Sequence, residues 1–589
     1  MEYIKQFYEQ AKLNGNKTVV TAYGRKISYA ELEKRSSEVA YYLEDLVAKG
    51  NRVIGIVSNG TVEHFILMFA CLKSGIRFIN LDVNAPEEYL RLICSQLEIQ
   101  FCFYSENFDR NIPKIIKKIK LENLKNMVFK SIEQKNRIQS NSDIIYYIAT
   151  SGTTGVPKIV CKTEKALLYS SEQIKKELPF FNGQIIQQYA PLNFAFGLDL
   201  TLILLISGNE ISIERKKQYI DIVSMCKDIE KNNATGVFWS AAIIKLLSKQ
   251  PELFSKFPKC LKFMVAGGEP LVVSASFVFE MHKHGIKLYN NYGCTEVGTI
   301  FFSEMNLSIF NVEEFNKIIC SRALAGYEPV ILNEKMEETQ KGTLYIKGKS
   351  FDNYYLDKKL DIRKRIIILD RYPGYKLYDT GDICQKLDGG YAIIGRKDNC
   401  VNIKGYRVEI ENVEYETMRV LKGSECCVIP IENIYNEVKL ICYYKNSLYE
   451  PIEVRHMLEV VLPEYMIPLV FIQTDEIYYS KNGKVNRKKM KEKYQQSINS
   501  FKENTESETL EEKIVSMLEK MLKIKISEGM KKYPFKDLGL DSLGTVDFIS
   551  TVEKNIDVAI EDTLIEKGII NNIETLIECI EKKRGKIDE

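Results

Sequence analysis

From Lys491 to Glu508 the chain is mostly polar or charged, which reads as a mobile linker. That interruption constrains the fold more than any other feature, because the two sides read differently. Before it, short β-rich runs alternate with helical patterns for about 400 residues. An example is Arg52-Val53-Ile54-Gly55-Ile56-Val57 followed by a helical stretch from Val62 to Ser74. The expectation is an α/β fold with layered, largely parallel sheets. A smaller αβ segment follows from about Cys400 to Met490. Beyond the interruption, Leu510, Ile514, Met517, Leu518, Met521 and Leu522 fall on one helical face, and Leu543, Val546, Ile549 and Val552 on another. These imply a separate small bundle of four-helix size. No internal repeat or low-complexity tract is evident.

The balance of 82 basic against 79 acidic side chains leaves a net charge of +3, which gives no reason to expect a nucleic acid or an anionic membrane as partner. Met1-Glu2-Tyr3-Ile4-Lys5-Gln6 lacks the apolar core of a signal peptide. The most lipid-like run, Leu200 to Ile206, is far short of the ~20 residues that cross a bilayer. The cysteines show no C-x-x-C pair, which suits reduced thiols and a cytoplasmic location. His282 and His284 read as a solvated helix end rather than a metal pair, and neither H-E-x-x-H nor G-x-S-x-G occurs.

Ile144-Ile145-Tyr146-Tyr147-Ile148-Ala149 reads as a buried strand running into Thr150-Ser151-Gly152-Thr153-Thr154-Gly155-Val156-Pro157-Lys158. The glycines let the backbone approach an anion closely, four hydroxyls and the amides can donate to phosphate oxygens, and Lys158 adds positive charge. The G-K-[ST] ending of a Walker loop is absent.

This loop resembles the pyrophosphate-binding signature of the adenylate-forming superfamily, which includes adenylation domains of peptide synthetases, acyl- and aryl-CoA ligases, and luciferases. The resemblance runs from about residue 20 to 490, starting at Ile27-Ser28-Tyr29-Ala30-Glu31-Leu32 and continuing through Gly75 to Leu81-Asp82. It implies an adenylation domain with a large subdomain (1–397) and a small one (398–490), joined by a hinge. A linker (491–508) and a carrier domain (509–589) follow.

Asn290-Asn291-Tyr292-Gly293-Cys294-Thr295-Glu296 is similar to the family's N-x-Y-G-x-T-E element. By that resemblance Tyr292 stacks on adenine, Thr295 touches phosphate and Glu296 helps hold Mg²⁺, with Asn290 part of the nucleotide site. The chemistry agrees, since an aromatic face suits a base and a hard oxygen ligand suits Mg²⁺. Tyr378-Asp379-Thr380-Gly381-Asp382 resembles the ribose-binding motif, with Asp382 accepting from both hydroxyls. Gly395-Arg396-Lys397-Asp398 resembles the hinge signature, which implies that Arg396 contacts the ribose and Asp398 is the pivot.

Lys484 lies in Asn482-Gly483-Lys484-Val485-Asn486-Arg487, downstream of Leu462-Pro463-Glu464-Tyr465-Met466-Ile467-Pro468. Alone, Asn-Gly marks a hairpin tip. The resemblance makes Lys484 the cation between the carboxylate and the α-phosphate, two anions that repel as they react.

Asp537-Leu538-Gly539-Leu540-Asp541-Ser542-Leu543 resembles the attachment site of acyl and peptidyl carrier proteins. Ser542 is then the residue that receives 4′-phosphopantetheine from a separate phosphopantetheinyl transferase. A phosphodiester at the start of the following helix gains roughly 0.3–1 kcal/mol from the helix terminus. The sequence ends 47 residues after Ser542, so the loaded group is expected to pass to a downstream acceptor enzyme.

Amino-acid-activating relatives carry an aspartate in a Phe-Asp-x-Ser element, where it pairs with the α-ammonium. Pro191-Leu192-Asn193-Phe194-Ala195-Phe196-Gly197-Leu198-Asp199 places Ala195 there. A desolvated ammonium without its counter-ion is costly, which disfavours an ordinary α-amino acid. Asp199, one helical turn on, is either a ligand for a displaced amine or hydroxyl or a structural cap. Matching the family's pocket positions adds Phe196, Trp239, Ala266, Tyr289 and Asn291, a lining that suits a small aryl or hydroxylated acid.

The expectation is ATP- and Mg²⁺-dependent activation of a small carboxylic acid as acyl-AMP, then thioester loading onto the chain's own carrier domain. The alternatives are an acyl- or aryl-CoA ligase, an amino-acid adenylating enzyme with an unusual amine anchor, and a non-catalytic scaffold.

Overall fold

The structure is a computed structural model. It describes the chain outside residues 48–51, 106–107, 127–142, 151–155, 178–181, 215–221, 249–253, 255, 269–270, 272, 307–317, 358–364, 398–399, 404, 433–437, 446–447, 479–484, 500–508, 523–525, 527, 539, 541, 557, 562–563, 566–567 and 586–589. Two compact units emerge. The first holds Met1–Arg215, Ile222–Glu409 and Pro463–Tyr465; the second holds Ile410–Leu462 and Met466–Glu589.

Two sheets with parallel centres dominate the first unit. The seven-stranded one runs, edge to edge, Tyr354–Tyr355, Lys158–Thr163, Ile144–Thr150, Arg77–Leu81, Val53–Val57, Phe101–Tyr104 and Lys117–Lys120. Its last five strands are parallel and its first two are added antiparallel. The crossover Val62–Ser74 joins neighbouring parallel strands. Thr61 caps its start by accepting from the His64 amide, and Gly75, at φ 65°, ends it in the left-handed conformation. Every residue of this helix is buried, and one core joins it to residues of both sheets. A helix buried around its whole circumference takes such an interlayer position.

The eight-stranded sheet runs Gly298–Glu304, Lys287–Cys294, Phe263–Gly267, Gly236–Ser240, Ile185–Gln188, Glu210–Ile213, Thr18–Ala22 and Arg25–Ser28. Its two edge strands are antiparallel and its centre is parallel. A third sheet departs from the expectation of largely parallel strands. Ile318–Cys320, Gly390–Arg396, Lys376–Leu387, Lys341–Gly348 and Glu328–Leu332 pair antiparallel throughout. Neighbours such as Lys376–Leu387 and Gly390–Arg396 are joined by a tight turn, which leaves no room for the crossover a parallel pair needs. The hairpin Cys400–Ile403 and Tyr406–Glu409 also lies in the first unit, beyond the expected subdomain boundary at 397.

In the second unit, Cys426–Glu432, Val438–Tyr444 and Val470–Gln473 form a three-stranded sheet, with helices Ile410–Val420, Pro451–Glu459 and Arg487–Asn499. The last of these corrects the reading of 491–508 as linker. Its first half is helical, and the buried pair Met490 and Tyr494, spaced one turn apart, anchors it. The carrier segment contributes helices Leu510–Leu522, Ser542–Ile556 and Ile573–Gly585. Ile514, Leu518, Met521, Leu522, Ile549 and Val552 are buried as their spacing implies. Val546, expected on the buried face, is 38% exposed, and Phe548 is buried instead. Among the described residues, no helix is long and apolar enough to cross a membrane.

Candidate active site

The expected phosphate loop joins Ile144–Thr150 to Lys158–Thr163, and Thr150 lies directly opposite Lys158 in that hairpin. A strand rather than a helix follows the loop. Thr150 Oγ1 donates to the Lys158 carbonyl at 3.4 Å. Ser151, Gly152, Thr153, Thr154 and Gly155 lie outside the described residues, as do Asp398 and Lys484. The ammonium of Lys158 pairs with Glu409, whose side chain is 5% exposed.

The N-x-Y-G-x-T-E segment leaves the strand Lys287–Cys294 and turns back as Gly298–Glu304. A side chain at Gly293 would meet the Gly298 carbonyl oxygen at 2.2 Å, so this tight return accepts only glycine. Asn290 and Asn291 are buried and Thr295 is half-buried. Tyr292 donates its hydroxyl to Asp382 Oδ2. Arg396, paired opposite Asp382 in the antiparallel sheet, donates to Oδ1 at 2.6 Å and to the Thr380 carbonyl at 3.3 Å. Three residues expected around adenosine, separated by as much as 104 positions in the chain, therefore form one cluster. Burial, and then the Asp382 charge, push the Tyr292 phenol well above its ordinary range.

Glu296 is buried. Its Oε1 accepts from the hydroxyl of Tyr355 and from Arg407 at 3.5 Å, while Oε2 has no partner among the described residues. Burial pushes its carboxyl up, but the Arg407 charge and the Tyr355 hydrogen bond outweigh it and hold the group below its ordinary value. A buried carboxylate oxygen without a donor suits a hard cation, so this residue fits Mg²⁺.

The acid-binding expectations fare unevenly. Phe196 packs over Gly267, where a Cβ would come within 2.6 Å of its ring, and near Phe238 with ring centroids 6.2 Å apart. Tyr289 and Asn291 share that face of the sheet, since Val265 pairs with Tyr289 and Gly267 with Asn291. Trp239 and Ala266 do not. They pair with each other and with Asn290, and side chains alternate along a strand, so both point to the opposite face. The matching residues on the Phe196 face are Phe238, Ser240, Val265 and Gly267. Period-two alternation counted from Tyr289 is the signal that locates them. Ala195, half-buried, begins the helix Ala195–Leu205. Asp199 accepts from Tyr146 at 2.5 Å and from the ammonium of Lys162 at 2.8 Å, and Lys162 also donates to the Thr295 carbonyl at 3.0 Å. Both oxygens of this carboxylate are thus engaged by the protein.

Four residues the sequence reading did not single out complete the site: Lys162, Tyr355, Arg407 and Glu409. Tyr406, beside the last two, stacks on Tyr465 with centroids 3.5 Å apart, lies 3.8 Å from the Phe194 ring and donates to Asp82 Oδ2 at 3.0 Å. In the second unit, Ser542 opens the helix Ser542–Ile556.

Residues 7–356 match the family described as AMP-binding enzyme, and residues 512–580 match the phosphopantetheine attachment site. Gramicidin S synthase 2 of Brevibacillus brevis is 26% identical over 98% of this chain, and surfactin synthase subunit 2 of Bacillus subtilis is 26% identical over 82%. The chain spans only 13% and 14% of those proteins. Among solved structures, holo-PA1221, a nonribosomal peptide synthetase protein with adenylation and peptidyl carrier domains, superimposes with a TM-score of 0.75 at 18% identity, covering 95% of this chain and 92% of that one. An artificially fused adenylation–carrier didomain, NpsA-ThdA from Klebsiella oxytoca, gives 0.68 at 20% identity, covering 85% and 97%. These two likenesses concern the fold.

Proposed function

The chain belongs to the AMP-binding enzymes, here joined to a phosphopantetheine attachment domain, and on that premise we propose that it activates a small carboxylic acid as acyl-AMP and transfers it to its own carrier. The observation that carries this reading is the convergence of Tyr292, Asp382 and Arg396 in the same unit as Glu296, whose Oε2 has no donor among the described residues.

In this reading Asp382 exchanges its hydrogen bond from Tyr292 for the ribose hydroxyls, which frees the Tyr292 ring to lie on adenine. Arg396 keeps the Asp382 carboxylate charged and oriented. Thr150, Ser151, Gly152, Thr153, Thr154, Gly155 and Lys158 receive the β- and γ-phosphates, and Thr295 contacts the α-phosphate. Glu296 would hold Mg²⁺, which supplies charge neutralisation at the phosphates. Lys484 brings its cation between the acid's carboxylate and the α-phosphorus, where electrostatic repulsion otherwise opposes attack. Asp398 is the pivot of the small subdomain.

Ser542 is the attachment residue, and 4′-phosphopantetheine there supplies the thiol that takes the acyl group as a thioester. Tethering acceptor to activator gives effective concentrations on the order of millimolar, so the hydrolysable adenylate need not leave. A phosphopantetheinyl transferase and a downstream acceptor enzyme are the partners this implies.

The acid is an aryl or other small acid without a conventionally anchored α-amine. Ala195 stands where an ammonium would need a carboxylate, and the charge of Asp199, one turn on, is balanced by Lys162. A screen of aryl, hydroxy, β-amino and α-amino acids for acid-dependent ATP–pyrophosphate exchange tests the reading. Labelled acid should then become covalently bound to the pantetheinylated protein. Strong preference for a common α-amino acid refutes the substrate class, and release of soluble acyl-CoA as the main product refutes self-loading.

A further inference from the structure

The strand Tyr406–Glu409 carries Arg407 and Glu409 two positions apart, hence on one face. Arg407 reaches Glu296 Oε1 at 3.5 Å, and Glu409 pairs with Lys158. The two partners are the residues assigned above to the metal and to the phosphates. The strand thus offers a cation on the Glu296 oxygen beside the one that would hold Mg²⁺, and an anion where a phosphate oxygen would sit against Lys158. Both partners are largely withdrawn from water: the Glu296 and Lys158 side chains are 4% and 16% exposed. Neither pair is therefore a loosely screened surface contact.

We propose that Arg407 and Glu409 are positioning residues that reproduce the charge pattern of magnesium pyrophosphate, so that the docked hairpin and magnesium pyrophosphate exclude one another from this site. The inference rests on the reading of Glu296 and Lys158 given under the proposed function. The reason is local electrostatics. A divalent cation on the remaining oxygen of Glu296 would face the Arg407 guanidinium across one carboxylate. A phosphate oxygen approaching Lys158 would meet the Glu409 carboxylate already there. Like charges at such separations repel strongly when buried. In the forward reaction the hairpin would take these two partners as pyrophosphate departs, and so oppose its return. Tyr406, held by Asp82, Phe194 and Tyr465, fixes the strand that presents the two charges.

The test is calorimetric titration of the full-length protein, without acid or nucleotide, using magnesium pyrophosphate. Removing both charges, in Arg407→Ala with Glu409→Gln, should tighten its binding about tenfold, an ordinary size for the coupling between two competing occupants. Arg407→Gln alone should tighten it by a smaller factor, and decides the matter in the same way if the double variant does not fold. Glu296→Gln and Lys158→Ala, titrated in parallel, should weaken binding. If these two weaken it but the strand variants bind no more tightly than the parent, the exclusion is wrong and the assignment of Glu296 and Lys158 stands. If Glu296→Gln and Lys158→Ala bind like the parent, that assignment falls and the inference with it.

Discussion

The ammonium of Lys162 lies 2.8 Å from Asp199 Oδ2, with the two side chains only 3% and 11% exposed. This pair joins the strand after the phosphate loop to the helix Ala195–Leu205, and through the Thr295 carbonyl to the N-x-Y-G-x-T-E turn. A carboxylate that one could assign to a substrate amine is thereby part of the frame that holds three site segments together.

Lys162→Met should destabilise the first unit by about 3–5 kcal/mol, because it leaves Asp199 charged and buried without its partner. Adding Asp199→Leu should recover much of the loss. The chain's single tryptophan, Trp239, is fully buried in this unit, so its fluorescence during urea unfolding reports the change.

Lys484→Ala should lower acid-dependent ATP–pyrophosphate exchange by at least about 10²-fold, the scale of removing one preorganised transition-state charge. Exchange near the parent rate would remove Lys484 from the chemistry.

Because its carboxyl is held below the ordinary value of 4.5, Glu296 stays ionised where an unperturbed glutamate begins to protonate. The stability that its charge contributes is fully present above that ordinary value and disappears as the pH falls through the lower folded value. Protonation of Glu296 should therefore add nothing to any change in magnesium dependence between pH 7 and about pH 5, so the parent should follow the magnesium affinity of the nucleotide and pyrophosphate alone. In Glu296→Gln the magnesium concentration for half-maximal rate should rise at every pH in that window.

Gly267→Ala puts a methyl group within 2.6 Å of the Phe196 ring. The ring must shift, and the Michaelis constant for the acid should change severalfold while that for ATP does not. Equal effects on both would place Phe196 outside the acid pocket.

Ser542→Ala should abolish the mass gain seen after incubation with coenzyme A and a promiscuous phosphopantetheinyl transferase, and with it covalent labelling by the acid. Mass spectrometry of the intact protein reads both.

Much of the site was legible because its signals are local. Ile144 to Ala149 is a strand by composition, and Val62 to Ser74 is a helix by its own pattern. Tyr292, Asp382 and Arg396 each stood in a recognisable string, although no string says that they meet. Other features were misread where a short-range rule met a long-range fact. Polar composition hid the helix through residues 491–499, which two residues, Met490 and Tyr494, hold in place. Trp239 and Ala266 were placed in the pocket although register turns them to the other face of the sheet.

The amino-acid sequence alone determined the α/β class and the strings that mark an AMP-binding enzyme followed by a phosphopantetheine attachment segment, because backbone preference and short motifs are properties of neighbours in the chain. Only the tertiary structure decided that Asp199 is matched by Lys162, that Glu296 meets Arg407 and that Lys158 meets Glu409. Those pairs span 37, 111 and 251 positions. Across such separations the partner of a buried charge is set by how sheets pack and register, and no local pattern encodes that.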